Sequence, residues 1–491
     1  MRKFETDVQL VKYEVLKEVS KLALEGTLQE KQRTIQKIVN PGPKARFRCC
    51  VYKEREITKK RVKLAMGGDK RNPNIIEVIG AACDECPINR FTITEACRGC
   101  LAHRCTQACP VDAIYHVGQR AYINQQKCVE CGKCKTACPY NAVSDVMRPC
   151  KRACPVDALY IDDDKKAVID NDKCIQCGAC VYQCPFGAIM DKSQVVDVIN
   201  ELKAAKKNKT NVYAVVAPAI SSQFTFAKIG QVINAIKKIG FHDVVEAALG
   251  ADIVALHESN EFADVVGEKG FLTSSCCPAF VSLVQKKYPT LEGNISTSVS
   301  PMIAVSRLIK QTDENAKIVF IGPCIAKKTE AKNSSAASGT DFVLTFEELC
   351  AMIDSMGIDI ESCEEDDLNN ASFFGRIFAR SGGLTEAIKH VIKEFDMDAD
   401  FQPVCCDGIV ECDKALKMAK VGKLEGNFIE GMVCSGGCIG GPMSLNHGHK
   451  DRKEVDKYGM LAAEKGVKDS LRIFDIDKLD LHRSIGKKNK Q

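Results

Sequence analysis

Three cysteine-bearing stretches in the second half of the chain offer the ligands of a metal cluster. They run from Leu272 to Phe280, from Gly322 to Glu330 and from Glu430 to Cys438, and the first contains the adjacent pair Cys276-Cys277. Two adjacent cysteines cannot both point comfortably at one small cluster, so one is a candidate ligand and its neighbour a free thiol. Four thiolates, the number that a cubane iron–sulfur cluster needs, are then available: Cys277, Cys324, Cys434 and Cys438.

These stretches resemble the three signature segments of the iron-only ([FeFe]) hydrogenases, TSCCP, PCxxKxxE and ExMxCxxGC, in the family's order. The resemblance extends over about residues 81 to 485. It implies an H-cluster, in which a 4Fe-4S cubane on the four cysteines is joined to a two-iron subcluster through Cys438. In the family the subcluster carries CO, cyanide and a dithiolate bridge. The resemblance therefore implies the reversible reaction 2H⁺ + 2e⁻ ⇌ H₂.

Residues around these ligands match positions that the family uses to hold the H-cluster. Lys327 matches the lysine that donates to one cyanide, and Met432 matches the methionine that packs near the bridging CO. A buried anion needs a charged donor, and Lys327 offers one. The resemblance implies that the other residues beside the cofactor are Ala217, Pro218, Ala219, Pro323, Gly436 and Gly437.

A proton route is also implied by the resemblance. Cys276 corresponds to the free thiol nearest the distal iron, and the family's relay residues align with Glu258, Glu261 and Ser296. The spacing of the glutamates places both carboxylates on one helical face. The alternative is that they are solvated surface acids. The family's relay ends in an arginine, but Val265 stands at that position here, so the exit to the surface is left open.

Other departures from the family pattern indicate a divergent class, usually called group B. Gly322 stands where well-studied members carry Met, and Phe280 where they carry Trp. Pro442 follows Gly441 where they have a third Gly. The motifs do not fix the catalytic bias of this class.

Residues 83 to 184 hold 16 of the chain's 28 cysteines. Two runs, which begin at Cys128 and Cys174, have the full bacterial ferredoxin spacing, and a run that begins at Cys97 has two extra residues. In such runs the first three cysteines bind one cubane and the fourth binds its neighbour. This crossed pairing predicts site 1 (Cys97, Cys100, Cys105, Cys138), site 2 (Cys109, Cys128, Cys131, Cys134) and site 3 (Cys154, Cys174, Cys177, Cys180).

Four cysteines of this region are left over and make a fourth site by counting: site 4 (Cys83, Cys86, Cys150, Cys184). The alternative is that Cys83 and Cys86 are structural or bind nothing. An internal repeat, in which Cys109 to Ile114 is echoed by Cys154 to Leu159, supports two ferredoxin modules. The implied cofactors are therefore the H-cluster and three to four accessory 4Fe-4S clusters.

Some cysteines lie outside every motif. Cys49 and Cys50 lack ligand spacing, and we expect them to be buried small hydrophobes. We expect inert or redox-reactive thiols, rather than a further metal site, at Cys405, Cys406 and Cys412.

The elements that must position these residues alternate between apolar strands and amphipathic helices, which predicts an α/β (α+β overall) fold with ligands in loops at strand ends. We expect a two-lobed catalytic domain with βαβ sheets flanked by helices, preceded by tandem ferredoxin-like modules. The predicted divisions are a helical segment (1–80), a ferredoxin-like domain (81–192), a linker (193–210), the catalytic domain (211–485) and a basic tail (486–491).

Composition limits the setting and the partners. Charged residues make up 27% of the chain with a net charge of +5, which does not indicate nucleic-acid binding. No apolar run is long enough for a membrane span, and the N-terminus lacks a signal-peptide core, so a cytoplasmic location is expected. The expected partners are H₂ and protons, a ferredoxin or similar low-potential carrier, and the hydrogenase maturation enzymes.

Two alternatives compete with hydrogenase catalysis. A Narf-like iron–sulfur assembly protein would share the four cysteines, but that family lacks the paired cysteines and the lysine, which stand here as Cys276-Cys277 and Lys327. An H₂ sensor would usually carry an appended signalling domain, and no such domain is visible after residue 485.

Overall fold

The computed structural model describes residues 4–333 and 339–483 of the 491-residue chain. The basic tail predicted for residues 486–491 lies outside the described residues. Within those two ranges, no helix combines the length and the apolar character needed to cross a bilayer.

The N-terminal segment is helical, with α1 (Asp7–Glu25), α2 (Leu28–Lys31), α3 (Ile35–Val39) and α4 (Val51–Ala65). Helix α1 begins where the Thr6 hydroxyl accepts a hydrogen bond from the Gln9 backbone N–H at 3.2 Å. It buries Val11, Val15 and Val19, which are spaced to fall on one face. The helix packs against α3 and α4.

Cys49 and Cys50 are exposed, so the expectation that they are buried small hydrophobes is wrong. They precede α4, and the Cys50 thiol accepts a hydrogen bond from the Lys53 backbone N–H at 3.5 Å. The first N–H groups of a helix have no partner within the helix, and a side chain at the preceding position can satisfy one of them. Cys50 therefore caps α4 from the surface.

The cysteine-rich region consists of short antiparallel strand pairs joined by single-turn helices. Strand pair β2–β5 encloses the hairpin β3–β4, and pair β1–β8 encloses the hairpin β6–β7. This nested arrangement occurs twice, in agreement with the internal sequence repeat. The strands are β1 (Ile76–Val78), β2 (Phe91–Ile93), β3 (Ile114–Val117), β4 (Arg120–Ile123), β5 (Val143–Asp145), β6 (Leu159–Ile161), β7 (Ala167–Ile169) and β8 (Ile189–Asp191). The helices are α5 (Arg104–Gln107), α6 (Lys133–Ala137), α7 (Pro149–Ala153) and α8 (Ala179–Gln183).

The segment predicted as a linker contains helix α9 (Val195–Asn208). Val195, Val198 and Ile199 are buried on its inner side. Lys206 and Lys207 lie in its last turn, where positive charge is favourable because of the helix dipole. The lysine run therefore marks the exposed end of a packed helix, not an extended linker.

Strands and helices alternate from residue 212 onward and form two parallel sheets, with strand orders β10-β9-β12-β13 and β11-β15-β14. This mixed architecture confirms the predicted fold class. The strands are β9 (Val212–Val216), β10 (Asp243–Glu246), β11 (Leu272–Thr273), β12 (Lys317–Ile321), β13 (Phe342–Leu344), β14 (Pro403–Asp407) and β15 (Phe428–Met432). The helices are α10 (Ile220–Gln223), α11 (Ile229–Ile239), α12 (Ala247–Lys269), α13 (Pro278–Lys287), α14 (Pro301–Thr312), α15 (Ala326–Asn333), α16 (Phe346–Ser355), α17 (Phe373–Ile377), α18 (Gly383–Glu394), α19 (Ile409–Lys420), α20 (Asp451–Met460) and α21 (Val467–Leu471).

The signature segments follow the carboxyl ends of strands in both sheets. In the four-stranded sheet β9 leads into Ala217, and β12 leads into Gly322. In the three-stranded sheet β11 leads into the paired cysteines, and β15, which includes the first residues of the last signature segment, leads into Cys434 and Cys438. Side chains beyond the carboxyl ends of parallel strands are the usual place for a ligand site in such sheets.

Helix α12 is the longest element beside the site and carries the two relay glutamates. It packs closely on α14 because Gly250 has no side chain, and a Cβ there would collide with the Pro301 carbonyl. Pro301 is the first residue of α14 and follows the segment that contains Ser296. The close approach therefore brings Ser296 against the glutamate face of α12.

Candidate active site

The four predicted cubane ligands lie in loops at strand ends and face one another. Cys277 precedes α13, Cys324 precedes α15, and Cys434 and Cys438 follow β15. Cys434 interacts electrostatically with the other three, and Cys438 interacts with Cys324 and Cys277. The structure thus gathers four thiols that are far apart in sequence.

The chemistry of this donor set fits an iron–sulfur cubane. Burial raises the pKa of Cys324 to about 11 and that of Cys438 to about 12. The residue Cys438 as a whole is exposed to solvent, but its thiol lies in buried surroundings. Thiols in such surroundings stay protonated in the protein alone, whereas iron deprotonates its thiol ligands outright. Among the described residues, no three His, Cys, Asp or Glu side chains are spaced for a single metal ion. A cubane takes one thiolate at each iron, so its ligands surround a volume and not a point.

Cys276 lies between the ligand thiols and Glu258 of α12. It is 8% exposed, and it interacts with Glu258 as well as with Cys277 and Cys438. Burial, and then these negative neighbours, hold the pKa of the Cys276 thiol well above its ordinary value. The two cysteines of the pair therefore have different neighbours, as the sequence argument requires.

Lys327 lies beside the paired cysteines and is 8% exposed. Its ammonium donates to the Cys276 carbonyl at 3.3 Å and to Glu330 Oε2 at 2.7 Å. It also interacts with the thiols of Cys324 and Cys438. A buried cation that adjoins the ligand thiols is suited to hold an anionic ligand of a metal cluster.

Glu258 is fully buried, so the interpretation as a solvated surface acid is wrong for this residue. Its Oε1 accepts from the Ser275 backbone N–H at 3.0 Å and from the Ser275 hydroxyl at 3.1 Å, while Oε2 is buried without a partner. Burial raises the pKa of Glu258 to about 7 against the opposing effect of these hydrogen bonds. A carboxyl with such a pKa can hold or release a proton near neutral pH.

Glu261 and Ser296 continue the line away from the paired cysteines. The Ser296 hydroxyl donates to Glu261 Oε2 at 2.6 Å, and the Thr297 backbone N–H donates to both carboxylate oxygens. Glu261 is half-buried and raises the pKa of Glu258 by its charge. Ser296 is near enough to Glu258 to lower its pKa, although its hydrogen bond goes to Glu261.

Arg483 is a site residue that the sequence argument missed. It interacts electrostatically with Glu261 and Glu258, and its backbone N–H donates to the Thr297 carbonyl at 2.6 Å. Its Nε is buried without a hydrogen-bond partner, and burial lowers the pKa of its guanidinium. Val265 stands at the position where the family has its relay arginine. A cation that comes instead from residue 483 could not be identified from a local sequence pattern.

The remaining predicted residues line the same strand ends. The Ala217 backbone N–H donates to the Ile321 carbonyl at 2.9 Å, which joins the ends of β9 and β12. A side chain at position 322 would lie 2.8 Å from the Phe320 ring and 3.1 Å from Ala217 Cβ, so Phe320 fills the space that a Met there would need. Burial is complete or nearly so for Ala217, Ala219, Pro323 and Met432, and partial for Pro218.

Gly437 is required by its backbone as well as by its place beside a ligand. Its φ of 89° and that of Gly436, 81°, lie in the left-handed region that glycine favours. A Cβ on Gly437 would lie 2.6 Å from the Ser381 backbone nitrogen. The turn between Cys434 and Cys438 is therefore packed directly on the chain at residues 379–381.

The structure also brings together all the cysteines predicted for sites 2, 3 and 4, and two of those predicted for site 1. All the thiols of site 2 line one small cavity, and all those of site 3 line another. In site 1, Cys105 interacts with Cys138. In site 4, Cys150 interacts with Cys184, Cys83 and Cys86, which are the cysteines that counting had left over.

Three of the thiol groups form a chain of neighbours. Cys177 of site 3 interacts with Cys277 and Cys434 of the candidate active site. Cys180 of site 3 interacts with Cys150 of site 4. Site 3 therefore lies between site 4 and the four catalytic-domain cysteines.

The thiols outside the motifs are near one another on β14 and α19. The thiol of Cys412 is hydrogen-bonded to that of Cys406, and both residues are buried. The exposed Cys405 thiol donates to the Thr385 hydroxyl at 3.2 Å. Their description as inert or redox-reactive thiols stays a prediction.

Comparison with known families places this geometry in a class. Residues 210–442 match the family model described as "Iron only hydrogenase large subunit, C-terminal domain". Residues 121–144 and 167–190 match the 4Fe-4S binding domain. The chain is thus similar to iron-only hydrogenases over residues 210–442 and has ferredoxin-like domains before them, which confirms the resemblance seen in its motifs.

Individual relatives include both enzymes and assembly factors. The chain is 27% identical over 402 residues to Iron hydrogenase 1 of Clostridium pasteurianum. The aligned region covers 71% of this chain and 69% of that protein. It is 32% identical over 120 residues to the cytosolic Fe-S cluster assembly factor NAR1 of Kluyveromyces lactis, over 24% of this chain and 26% of that one. Among solved structures, an [FeFe]-hydrogenase of Chlamydomonas reinhardtii matches with a TM-score of 0.47 and 16% identity, over 56% of this chain and 93% of that chain.

Proposed function

We propose that this protein catalyses 2H⁺ + 2e⁻ ⇌ H₂ at an H-cluster whose cubane is held by Cys277, Cys324, Cys434 and Cys438. The observation that carries the proposal is the different surroundings of the paired cysteines, with Cys277 among the ligand thiols and Cys276 against the buried Glu258. Cys438 would also help to hold a two-iron subcluster, which when bound would supply the site at which protons and electrons combine. The chain's own residues hold that group and move protons to it.

Protons would pass along the line from Cys276 to Glu258 and then to Ser296 and Glu261. Cys276 is protonated at neutral pH because its pKa is raised, so it can act as a proton donor. Glu258 can reprotonate it, since its own pKa of about 7 allows both forms near neutral pH. The Ser296 hydroxyl, which donates to Glu261 at 2.6 Å, extends the line toward the half-buried end.

Arg483 would take the place of the arginine that ends the family's relay. Its positive charge interacts electrostatically with both carboxyls, as it does with Glu292 and Glu330, and an opposite charge favours their ionised forms. This keeps Glu261 able to release a proton after it has received one. The cation here comes from the C-terminal segment and not from α12, on which Val265 stands.

Electrons would reach the cubane through the accessory clusters. Site 3 adjoins the cubane thiols and site 4 adjoins site 3, so these two complete the inner part of the path. Sites 1 and 2 lie in the other ferredoxin-like module, whose outer strands β2 and β5 adjoin Cys86 and Cys150 of site 4 in the chain. A ferredoxin or similar low-potential carrier would deliver electrons to that module, and maturation enzymes would supply the two-iron subcluster.

An assembly function is the second candidate, because part of the chain matches an assembly factor. The presence of Cys276 and Lys327, and the burial of Glu258, favour catalysis over assembly. Cys276 and Glu258 have a use in proton transfer, and Lys327 has a use in holding an anionic ligand of the cluster. Neither use is needed simply to carry a cubane. An H₂ sensor would use the same site, and turnover rate would distinguish it from an enzyme.

The proposal is tested by H₂ evolution from a low-potential donor. Protein made with the family's maturation enzymes should evolve H₂, and protein made without them should not. Iron-replete protein that evolves no H₂ after maturation, but transfers a cubane to an apoprotein acceptor, would support the assembly function instead.

A further inference from the structure

Buried cations in this protein are generally paired with carboxylates. Lys328 lies between Asp191 at 2.8 Å and Glu348 at 2.9 Å, and Arg376 contacts Glu246 at 2.7 Å. Such pairing is expected because an unpaired charge is costly to bury. A buried cation without a carboxylate partner therefore indicates that some other anion is present.

Arg61 and Arg148 are two such cations, with 7% and 4% of their surfaces exposed. Among the described residues, neither guanidinium forms an ion pair with a carboxylate. Arg61 donates to the Gly187 carbonyl at 3.1 Å, and its Nε is buried without a partner. Arg148 donates to the carbonyls of Pro87 at 3.1 Å and Lys165 at 2.9 Å. Neutral carbonyls orient these groups but do not neutralise their charge.

Arg148 contacts a thiol of site 4, and Arg61 interacts electrostatically with another. Arg148 Nη1 lies 3.7 Å from Cys83 Sγ and also interacts with Cys86. Arg61 interacts with Cys184 and is bonded to the loop that follows it. A cubane held by four thiolates carries net negative charge, which increases when it takes up an electron. Such a cluster is the anion that the two arginines lack.

The cations near sites 1 and 3 are either already paired with a carboxylate or exposed to solvent. Arg120, which interacts with Cys97 of site 1, is already paired with Glu95 at 2.6 Å. Lys286, which interacts with Cys174 of site 3, is exposed. Solvent and a competing carboxylate both weaken the effect of such charges. In the described part of the chain, the positive charge near site 4 is therefore less screened than the positive charge near sites 1 and 3.

We propose that Arg61 and Arg148 are the counter-cations of a site 4 cubane and give it a higher reduction potential than the clusters of sites 1 and 3. The inference rests on the proposed function in so far as site 4 holds a cluster. The step involved is a one-electron reduction of the oxidised cubane by a neighbouring reduced cluster, with no bond made and no proton taken up. Burial and charge around a cluster set its potential, and nearby positive charge stabilises the reduced form. Site 4 would then hold one electron next to site 3 while the second electron of H₂ formation arrives.

The test is a reductive titration of the protein with its accessory clusters in place, followed by electron paramagnetic resonance. The site 4 signal is identified as the one lost in the double variant Cys83→Ser, Cys86→Ser. Arg148→Gln and Arg61→Gln should lower the midpoint potential of that signal, whereas Arg148→Lys should keep it near the original value. Arg152→Gln is the matched control, because Arg152 lies on α7, the helix that directly follows Arg148, but its side chain is 58% exposed.

Loss of the site 4 iron in the Gln variants, with retention in Arg148→Lys, would equally support the counter-cation role. An unchanged midpoint potential in both Gln variants, with full iron content, would overturn it. These outcomes are separate from the proposed function, since the titration needs neither the two-iron subcluster nor H₂ production. If the double cysteine variant loses no iron, then site 4 holds no cluster and the inference fails with it, whatever the hydrogenase activity.

Discussion

Cys276 and Glu258 interact electrostatically inside the protein, where they are 8% and 0% exposed. The link is fixed by the residue next to Cys276, because the Ser275 backbone N–H and hydroxyl both donate to Glu258 Oε1. A thiol and a carboxyl, each with a raised pKa, are thus held together beside the cluster ligands. This pairing underlies the proton route proposed above.

The first prediction separates the members of the cysteine pair. Cys276→Ser should keep its cofactor but lose turnover by about 10²-fold or more, because a serine hydroxyl titrates too high to deliver a proton readily. Cys276→Asp should retain more activity, since a carboxylic acid can still transfer protons. Cys277→Ser is the matched variant and should damage the cluster itself. H₂ evolution and iron content measure both effects, and near-normal turnover in Cys276→Ser would require another proton route.

A second prediction concerns Arg483. Arg483→Gln removes a positive charge beside Glu258 and Glu261, so the pKa of Glu258 should rise further above its ordinary value. The pH above which H₂ evolution declines should therefore move upward, because Glu258 then keeps the proton that it passes to Cys276 up to a higher pH. Arg483→Lys should restore the profile, and Arg472→Gln, which affects an exposed pair with Glu464, should leave it unchanged. If the Gln variant kept the original pH profile, Arg483 would have no part in the relay.

The third prediction concerns the number of clusters. Four accessory cubanes would hold about 16 irons at about four per cubane. The double variant Cys83→Ser, Cys86→Ser should lose about four of them, whereas Cys405→Ser, an exposed thiol outside all four sets, should lose none. Iron analysis makes the comparison, and unchanged iron in the double variant would leave three accessory sites.

The fourth prediction follows from a buried carboxyl away from the cluster ligands. Burial raises the pKa of Asp252 from 3.8 to about 7, although Ser372 and Ser470 donate hydrogen bonds to it. Below pH about 4 Asp252 is protonated in both the folded and unfolded states, so it does not change the free energy of unfolding with pH. As pH rises from about 4 to about 7, only the unfolded state ionises freely, and the protein should lose up to about 4 kcal/mol through this group.

Asp252→Asn should remove that loss. Its free energy of unfolding relative to the original protein should therefore increase from pH about 4 to about 7 and then level off. Anaerobic denaturant unfolding at a series of pH values measures the difference, with the exposed Asp477→Asn as control. Parallel stability curves for Asp252→Asn and the original protein would contradict the raised pKa.

Much of this arrangement could be predicted from short-range patterns. The spacing of the cysteine runs fixes which thiols a short loop can bring together, and the sets of sites 2 and 3 follow directly from it. The apolar strands before Ala217 and Gly322 are equally local signals. These features depend on residues that are close together in the sequence, so they can be recognised without the structure.

The features that were missed depend on tertiary contacts. Arg483 comes near Glu261 because the Arg483 backbone is hydrogen-bonded to Thr297, and the Thr297 backbone is hydrogen-bonded to Glu261. The two residues are too far apart in sequence for a motif to connect them. The lysines of α9 gave the impression of a linker, because Val195 and Ile199 become a buried face only against the rest of the domain. Cys50 is a cap because α4 begins after it, and a helix boundary is difficult to locate from sequence.

The most direct test of the central claim is infrared spectroscopy of the maturated protein in the CO and cyanide stretching region, with Cys276→Ser beside the original chain. We expect CO and cyanide bands in both proteins, with H₂ evolution strongly reduced only in Cys276→Ser. Absence of these bands from iron-replete, maturated protein of the original sequence would contradict the claim that this chain holds an H-cluster.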